Sequence, residues 1–199
     1  MIEKIVPRRG RIQSRPGDNP VVLLHGTLGS PGNFQRLEPL INRPVVGIEY
    51  GRRGTASLEQ CLADLRREFA ALGPCDIVGH SLGGMMAFHM ANEFPVGTVV
   101  GLGACYRGVP RHRSIVRLLG KSFVDIANTR FIPRVPQCRI VSIVSDADAV
   151  VPEYSAAIGE VIRIHGVPHS RLTEAVGPVL HALGQEAAPG ASFQQEGQW

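Results

Sequence analysis

Short apolar runs alternate with amphipathic segments along most of this chain. The apolar runs, such as Pro20-Val21-Val22-Leu23-Leu24, have the length and composition of buried strands. The amphipathic segments have helical spacing, and Ser57 with Gln60 forms a capping-box pattern at the start of one of them. We therefore predict a doubly wound, mostly parallel α/β sheet. The predicted strands are 20–25, 44–50, 75–80, 98–104, 138–145 and 160–165, and the predicted helices are 33–41, 57–72, 82–94, 112–127, 153–159 and 170–183.

The length of 199 residues suits one domain, which can bury about two-thirds of its unfolded surface. We expect residues 1–199 to form that domain, with a basic N-terminal arm at 1–19 that includes a short strand at Ile2–Val6. The tail at 184–199 is rich in Gln, Gly and Ala and is expected to be mobile.

The segment Gly79-His80-Ser81-Leu82-Gly83-Gly84 contains the pattern G-x-S-x-G between a predicted strand and a predicted helix. A strand that turns sharply into a helix exposes the Ser81 hydroxyl at the sheet edge, and a Cβ at Gly79 or Gly83 would crowd so tight a turn. The free N–H groups of the helix N-terminus favour the negative charge that develops in acyl transfer. A glycine-rich turn without chemistry is the alternative; the flanking strand and helix favour a nucleophilic serine.

A second glycine-rich loop, His25-Gly26-Thr27-Leu28-Gly29, follows the first predicted strand. Its glycines let the backbone bend so that N–H groups face the serine, and the predicted oxyanion donors are the N–H groups of Thr27 and Leu82. Phosphate binding is the competing interpretation of such a loop. The absence of Gly-Lys-Ser/Thr and of G-x-G-x-x-G from the sequence disfavours it.

An acid and a base are expected after the fifth and sixth predicted strands. We favour Asp148 over Asp146, because apolar residues follow Asp148 and would keep its carboxylate fixed and partly dry. Asp146 is expected to cap a turn or to stay in solvent. We favour His169, in the loop after the sixth strand, over His165, which belongs to the strand end and is expected to pack or bond locally.

The chain order serine, aspartate, histidine resembles that of the α/β-hydrolase superfamily, and within it the small bacterial lipases and esterases. The resemblance extends over about residues 20–183. It is carried by the His25-Gly26 loop, the Gly79–Gly84 elbow, the Asp148-x-x-Val-Pro loop and the segment His-Gly-Val-x-His that ends at His169. It implies a mostly parallel sheet of about six strands with helices on both faces. It also implies a Ser81–His169–Asp148 triad that hydrolyses carboxylic esters through an acyl-enzyme, without a cofactor or metal. The chain is short for the superfamily, so we expect a minimal lid or none.

Substrate specificity is expected to depend on the segment from Tyr106 to Gln137. This segment contains an amphipathic pattern that fits either a helix packed on the sheet or a small cap over Ser81. The substrate class is a small-molecule or lipid ester, and the pattern makes no prediction about oligomeric state. His80 and His89 are expected to be structural. The candidate substrate-contacting residues are His25, Leu28, Met85, Tyr106 and Val150.

The charge and the cysteine content bear on the expected partners, metal ligands and cellular compartment of the protein. The net charge of +4 comes without a recognised nucleic-acid-binding motif, so no nucleic-acid partner is predicted. The four cysteines lack the paired spacing of metal ligands and are expected to be small buried thiols. There is no apolar N-terminal signal and no transmembrane run, which favours the cytoplasm; secretion after processing stays an alternative.

Other functions share the same residues. A thioesterase or acyltransferase would use the same triad with a different leaving group or acceptor, and a cofactor-free perhydrolase or haloperoxidase would use it with peroxide. A ligand-binding protein with this fold would need no chemistry. The intact set of Ser81, Asp148 and His169 disfavours that last interpretation.

Overall fold

A six-stranded parallel sheet forms the centre of the computed structural model, which describes residues 12–109, 125 and 132–185. The strand order is β2-β1-β3-β4-β5-β6, and all five pairings are parallel. This confirms the predicted fold class. The strands are β1 Val21–Leu24, β2 Val45–Ile48, β3 Cys75–His80, β4 Val96–Leu102, β5 Arg139–Ser145 and β6 Glu160–Ile164.

Both faces of the sheet are covered, which explains why its central strands are apolar without alternation. Along β1 every side chain is buried, yet successive residues enter different clusters: Val22 and Leu24 join one, Val21 and Leu23 the other. Two cores therefore sandwich the sheet and fix the strand ends that carry the polar loops.

The two helices that pack on the Val22 and Leu24 side of the sheet lie where the sequence predicts, although the first of them ends at Phe69 and not at residue 72. Helix α1, Leu58–Phe69, starts at Ser57, whose hydroxyl accepts a hydrogen bond from the Gln60 N–H at 3.3 Å. The Gln60 side chain bonds Asp64 instead of returning to Ser57, so only half of the predicted capping box forms. Helix α2, Leu82–Glu93, follows β3 directly and is buried on nearly every side, because it packs between the sheet and α1.

Two predicted helices are broken. Residues 33–41 were expected to be one helix, but the structure has two 3-10 turns, Pro31–Phe34 and Glu38–Leu40. Pro39 lacks the N–H that a continuous helix would need there. The predicted helix 170–183 is divided at Ala175 into a 3-10 segment, His169–Glu174, and helix α4, Val176–Ala182. Pro178 explains the division, because the first turn of a helix tolerates proline and its interior does not.

The remaining predicted helix on the described chain, 153–159, is the single turn α3, Glu153–Ala156. The predicted leading strand at Ile2–Val6, the residues 186–199 of the tail and nearly all of the predicted helix 112–127 lie outside the described residues. Any lid formed by that last segment is therefore outside them as well.

The four cysteines are free thiols, three of them buried and Cys138 half-buried, in agreement with the sequence prediction. Over the described ranges, no helix has the length and apolar character needed to span a membrane.

Candidate active site

Ser81 occupies a strained turn between β3 and α2. Its backbone has φ 54° and ψ −117°, a region that residues with a Cβ avoid at a cost of about 1–3 kcal/mol. Three backbone bonds hold it there: the Ser81 N–H donates to the Leu102 carbonyl at 3.0 Å, and the Ser81 carbonyl accepts the Gly84 N–H at 3.0 Å and the Cys105 N–H at 3.3 Å. The glycine requirement is confirmed, because a Cβ on Gly79 would lie 2.5 Å from the Gly83 carbonyl oxygen and one on Gly83 would overlap the Leu24 carbonyl oxygen.

The loop after β1 lies against this serine. A Cβ built on Gly26 would be 3.1 Å from the Ser81 Cβ, so any larger residue there would press on the nucleophile. The loop closes on itself through a bond from the Gly29 N–H to the Gly26 carbonyl at 2.9 Å. In the described part of the chain, the N–H groups of Thr27 and Leu82 have no hydrogen-bond acceptor. Both donors are thus available for the predicted oxyanion role.

A turn that the sequence analysis did not predict supports this loop. Gly51, Arg52, Arg53 and Gly54 all have positive φ, between 49° and 70°, which costs about 1–2 kcal/mol at each residue that is not glycine. The Arg53 carbonyl accepts the Leu28 N–H at 2.8 Å, and the Arg53 guanidinium donates to the carbonyls of Leu28 and Gly29. In the sequence, the feature that could have indicated this turn is the pair of glycines, Gly51 and Gly54, that enclose two arginines after β2.

Asp148 and His169 form a buried pair. His169 Nδ1 donates to Asp148 Oδ2 at 2.7 Å, and each side chain is only 4% exposed. Asp148 Oδ1 accepts the N–H groups of Val150 and Val151 at 2.8 and 2.9 Å. Burial by itself would raise the pKa of Asp148, but the hydrogen bond and charge of His169 and the two N–H groups outweigh it and hold the pKa below its usual value. The carboxylate is therefore ionised and fixed in direction.

Asp146 and His165 form a second pair that differs in exposure. The distance from His165 Nδ1 to Asp146 Oδ2 is 2.8 Å, but the side chains are 81% and 60% exposed. Asp146 Oδ1 accepts the Gly166 N–H at 2.8 Å, so this carboxylate ties the loop after β5 to the loop after β6 at the surface. These are the local, solvent-exposed contacts expected for the two disfavoured residues.

The structure brings Asp148 and His169 together next to the turn that carries Ser81. Leu102, which accepts the Ser81 N–H, is followed by Gly103, and a Cβ on Gly103 would lie 2.7 Å from Asp148 Oδ2. No hydrogen bond joins the Ser81 hydroxyl to the His169 ring. Catalytic hydrogen bonds are often long in free enzymes and tighten when substrate binds.

The predicted substrate-contacting residues fall into two groups. His25, Met85 and Tyr106 are fully buried; the His25 ring stacks on Tyr50 at 4.5 Å and the Tyr106 ring on Phe88 at 3.9 Å. Leu28 and Val150 are half-buried on the loops beside Ser81 and Asp148. Most of the segment from Tyr106 to Gln137 lies outside the described residues.

Two buried histidines should make the fold sensitive to mild acid. Burial lowers the pKa of His25 to about 4 and that of His80 to about 3. An unfolded chain protonates both near pH 6.5, whereas the folded chain does not, so the unfolded state binds more protons as the pH falls and stability falls with it. We expect the free energy of unfolding to drop by up to about 3 kcal/mol per pH unit between pH 6 and pH 4.5.

Urea unfolding at pH 7, 6, 5 and 4.5 measures this dependence. The variant His165→Gln is the control, since it removes an exposed histidine and should leave the slope unchanged. An unfolding free energy that stays flat from pH 6.5 to 4.5 would contradict the prediction.

Among residues 12–109, 125 and 132–185, no group of three or more His, Cys, Asp or Glu side chains is placed to hold a metal ion.

Comparison with known proteins gives one family match and several structural ones. The family described as Thioesterase domain matches residues 19–94, and no curated protein sequence matches. A monoacylglycerol lipase from Paleococcus ferrophilus has a TM-score of 0.62 at 18% identity, over 78% of this chain and 89% of that one. Aspergillus fumigatus lipase B has a TM-score of 0.67 at 15% identity, over 86% of this chain and 54% of that one. A bromoperoxidase from Bacillus anthracis has a TM-score of 0.66 at 17% identity, over 87% of this chain and 94% of that one.

Proposed function

Since the chain has the fold of the α/β-hydrolase superfamily, we propose that it is a serine hydrolase that cleaves carboxylic esters through an acyl-enzyme on Ser81. The observation that carries the proposal is the buried hydrogen bond between His169 Nδ1 and Asp148 Oδ2, at the sheet edge where the strained turn presents Ser81. A dry aspartate that fixes the tautomer of a histidine leaves Nε2 free to accept a proton.

The proposed reaction begins when His169 Nε2 takes the proton from the Ser81 hydroxyl. The oxygen of Ser81 attacks the ester carbonyl carbon, and the N–H groups of Thr27 and Leu82 donate to the oxyanion. His169 then protonates the departing alcohol as the C–O bond breaks. Water next adds to the acyl-enzyme with His169 as base, and the carboxylic acid leaves while Ser81 recovers its proton.

The substrate would enter between the half-buried side chains of Leu28 and Val150. Leu28 follows the proposed oxyanion donor Thr27, and Val150 donates its N–H to Asp148, so each would lie near a group of the proposed mechanism. His25, Met85 and Tyr106 are fully buried, and their direct contact with a substrate stays a prediction.

A thioesterase is the second candidate, and the family match supports it. The matched residues 19–94 include the loop after β1 and the Ser81 turn, while Asp148 and His169 lie beyond the match. The same residues would serve either reaction, because only the leaving atom differs. An acyltransferase would differ again by accepting an alcohol in place of water.

One series of substrates tests these proposals. We would measure kcat/KM for p-nitrophenyl esters from acetate to palmitate and for p-nitrothiophenyl esters with the same acyl groups, each divided by its rate with hydroxide. A higher ratio for oxyesters supports the esterase, a higher ratio for thioesters the thioesterase, and product transfer to an added alcohol the acyltransferase. A folded protein that turns over neither series and is not labelled at Ser81 by a fluorophosphonate would overturn all three.

A further inference from the structure

The histidine that precedes the proposed nucleophile also contacts the proposed base. His80 is 2% exposed, and its Nε2 lies 2.9 Å from the backbone carbonyl oxygen of His169. A carbonyl oxygen can only accept, so Nε2 carries the ring proton and donates it, while Nδ1 presents a lone pair. The bond therefore joins the Ser81 turn directly to the backbone of His169.

The two imidazole rings also pack against each other. Their centroids are 4.7 Å apart, and the ring planes are inclined by 39°. The side chain of His80 thus restricts the position of His169 in two ways, through the backbone bond and through the ring face. Asp148, which binds Nδ1, restricts the ring from its edge.

The placement of His80 is also unfavourable for the stability of the fold in one respect. His80 Nδ1 is buried without a hydrogen-bond partner in the described part of the chain, against the Gly26 backbone of the loop after β1. A buried polar atom without a partner is unfavourable, and an apolar side chain at position 80 would avoid that penalty. The N–H group on the opposite side of the ring is the feature that an apolar residue could not supply.

The ring also stays uncharged beside its neighbour. Burial, and next the charge that His169 would carry, lower the pKa of His80 to about 3. His80 therefore adds no positive charge next to the imidazolium that His169 would become when it takes the serine proton.

We propose that His80 is a positioning residue that holds the backbone and ring of His169 in the orientation needed to accept the proton of Ser81. This inference rests on the function proposed above. It assigns His80 no contact with substrate and no proton transfer of its own.

Three variants distinguish the effect of the Nε2–H donor of His80 from the effect of its aromatic ring. His80→Phe keeps an aromatic ring and removes the N–H. His80→Gln places an amide N–H close to the position of Nε2, and His80→Asn carries an amide that is too short to reach the carbonyl. His89→Gln is the matched control, because it removes a half-buried histidine farther along α2, near Glu93. It should leave kcat unchanged.

The readouts are kcat and KM per titrated active site, measured well below each variant's unfolding midpoint, and the downfield proton resonance of His169 Nδ1–H on Asp148. For His80→Phe and His80→Asn we expect kcat to fall about 10- to 100-fold with KM within threefold, and the resonance to broaden or disappear. His80→Gln should restore most of both. A merely structural role would lower the unfolding midpoint and leave kcat and the resonance of the folded protein unchanged.

The outcomes distinguish this inference from the proposed function. If the unmodified protein turns over esters and His80→Phe matches His89→Gln in kcat and in the resonance, His80 does not position the base and the proposed function stands. If the unmodified protein has no serine-dependent turnover, the proposed function fails, and the inference fails with it. Should His80→Phe not fold, the comparison of His80→Asn with His80→Gln gives the same decision.

Discussion

Replacement of Ser81 by alanine should lower ester turnover by at least about 10⁴-fold and leave the chain folded. The hydroxyl is the proposed nucleophile, and no other group in the mechanism can form the acyl bond. The loss should not unfold the protein, because the Ser81 side chain makes no capping hydrogen bond to α2 and the turn is held by backbone bonds. The measurement is kcat/KM for the best p-nitrophenyl ester, with circular dichroism and thermal unfolding on the same samples.

Ser57→Ala is the matched control for this prediction. Ser57 caps α1 through its hydroxyl, so its loss should reduce the unfolding free energy by about 1 kcal/mol while kcat/KM stays the same. Opposite behaviour of the two serines would separate chemistry from stability. Turnover by Ser81→Ala at more than a few per cent of the original rate would remove Ser81 from the mechanism.

Replacement of Asp148 by asparagine should also cost about 10⁴-fold in kcat. Asp148 Oδ1 accepts two N–H groups, from Val150 and Val151, so the amide oxygen of asparagine would take that position. The amide NH₂ would then face His169 Nδ1, which must become an acceptor. The ring proton moves to Nε2, where a proton prevents the histidine from acting as base toward Ser81.

Asp146→Asn provides the comparison, because that carboxylate accepts the same kinds of bonds in an exposed pair with His165. We expect its kcat to stay within about threefold of the original, since the pair is screened by solvent and contacts no proposed reacting atom. If Asp146→Asn were inactive while Asp148→Asn stayed active, the acid of the mechanism would be Asp146 and not Asp148.

The positions of the strands, and of the loops that follow them, could be predicted from the sequence. Buried parallel strands are apolar runs, and the polar residues after β3, β5 and β6 meet at one sheet edge because parallel strands end there together. Local rules were weaker where prolines interrupt a helical pattern, as at Pro39 and Pro178, and the two helices predicted there are broken.

Contacts between distant parts of the chain were not predictable from pattern. The bond from His80 to the His169 carbonyl joins residues 89 positions apart, and only the folded sheet brings them together. The positive φ angles of Arg52 and Arg53 oppose the preference of arginine and are stabilised by bonds to the loop after β1. A residue whose local preference is overruled by tertiary contacts gives no local signal.

The position of β6 has a consequence for how function is acquired during folding. Among the strands of the described residues it pairs with β5 alone, its side chains are mostly half-buried or exposed, and the loop after it carries His169. A chain folded as far as β5 would hold the serine and the aspartate without a base. Recovery of activity on refolding would therefore report the docking of β6 and the loop after it, while the fluorescence of the buried Tyr50 and Tyr106 would report formation of the core. Fraying of this edge would abolish the proposed activity without unfolding the rest of the chain.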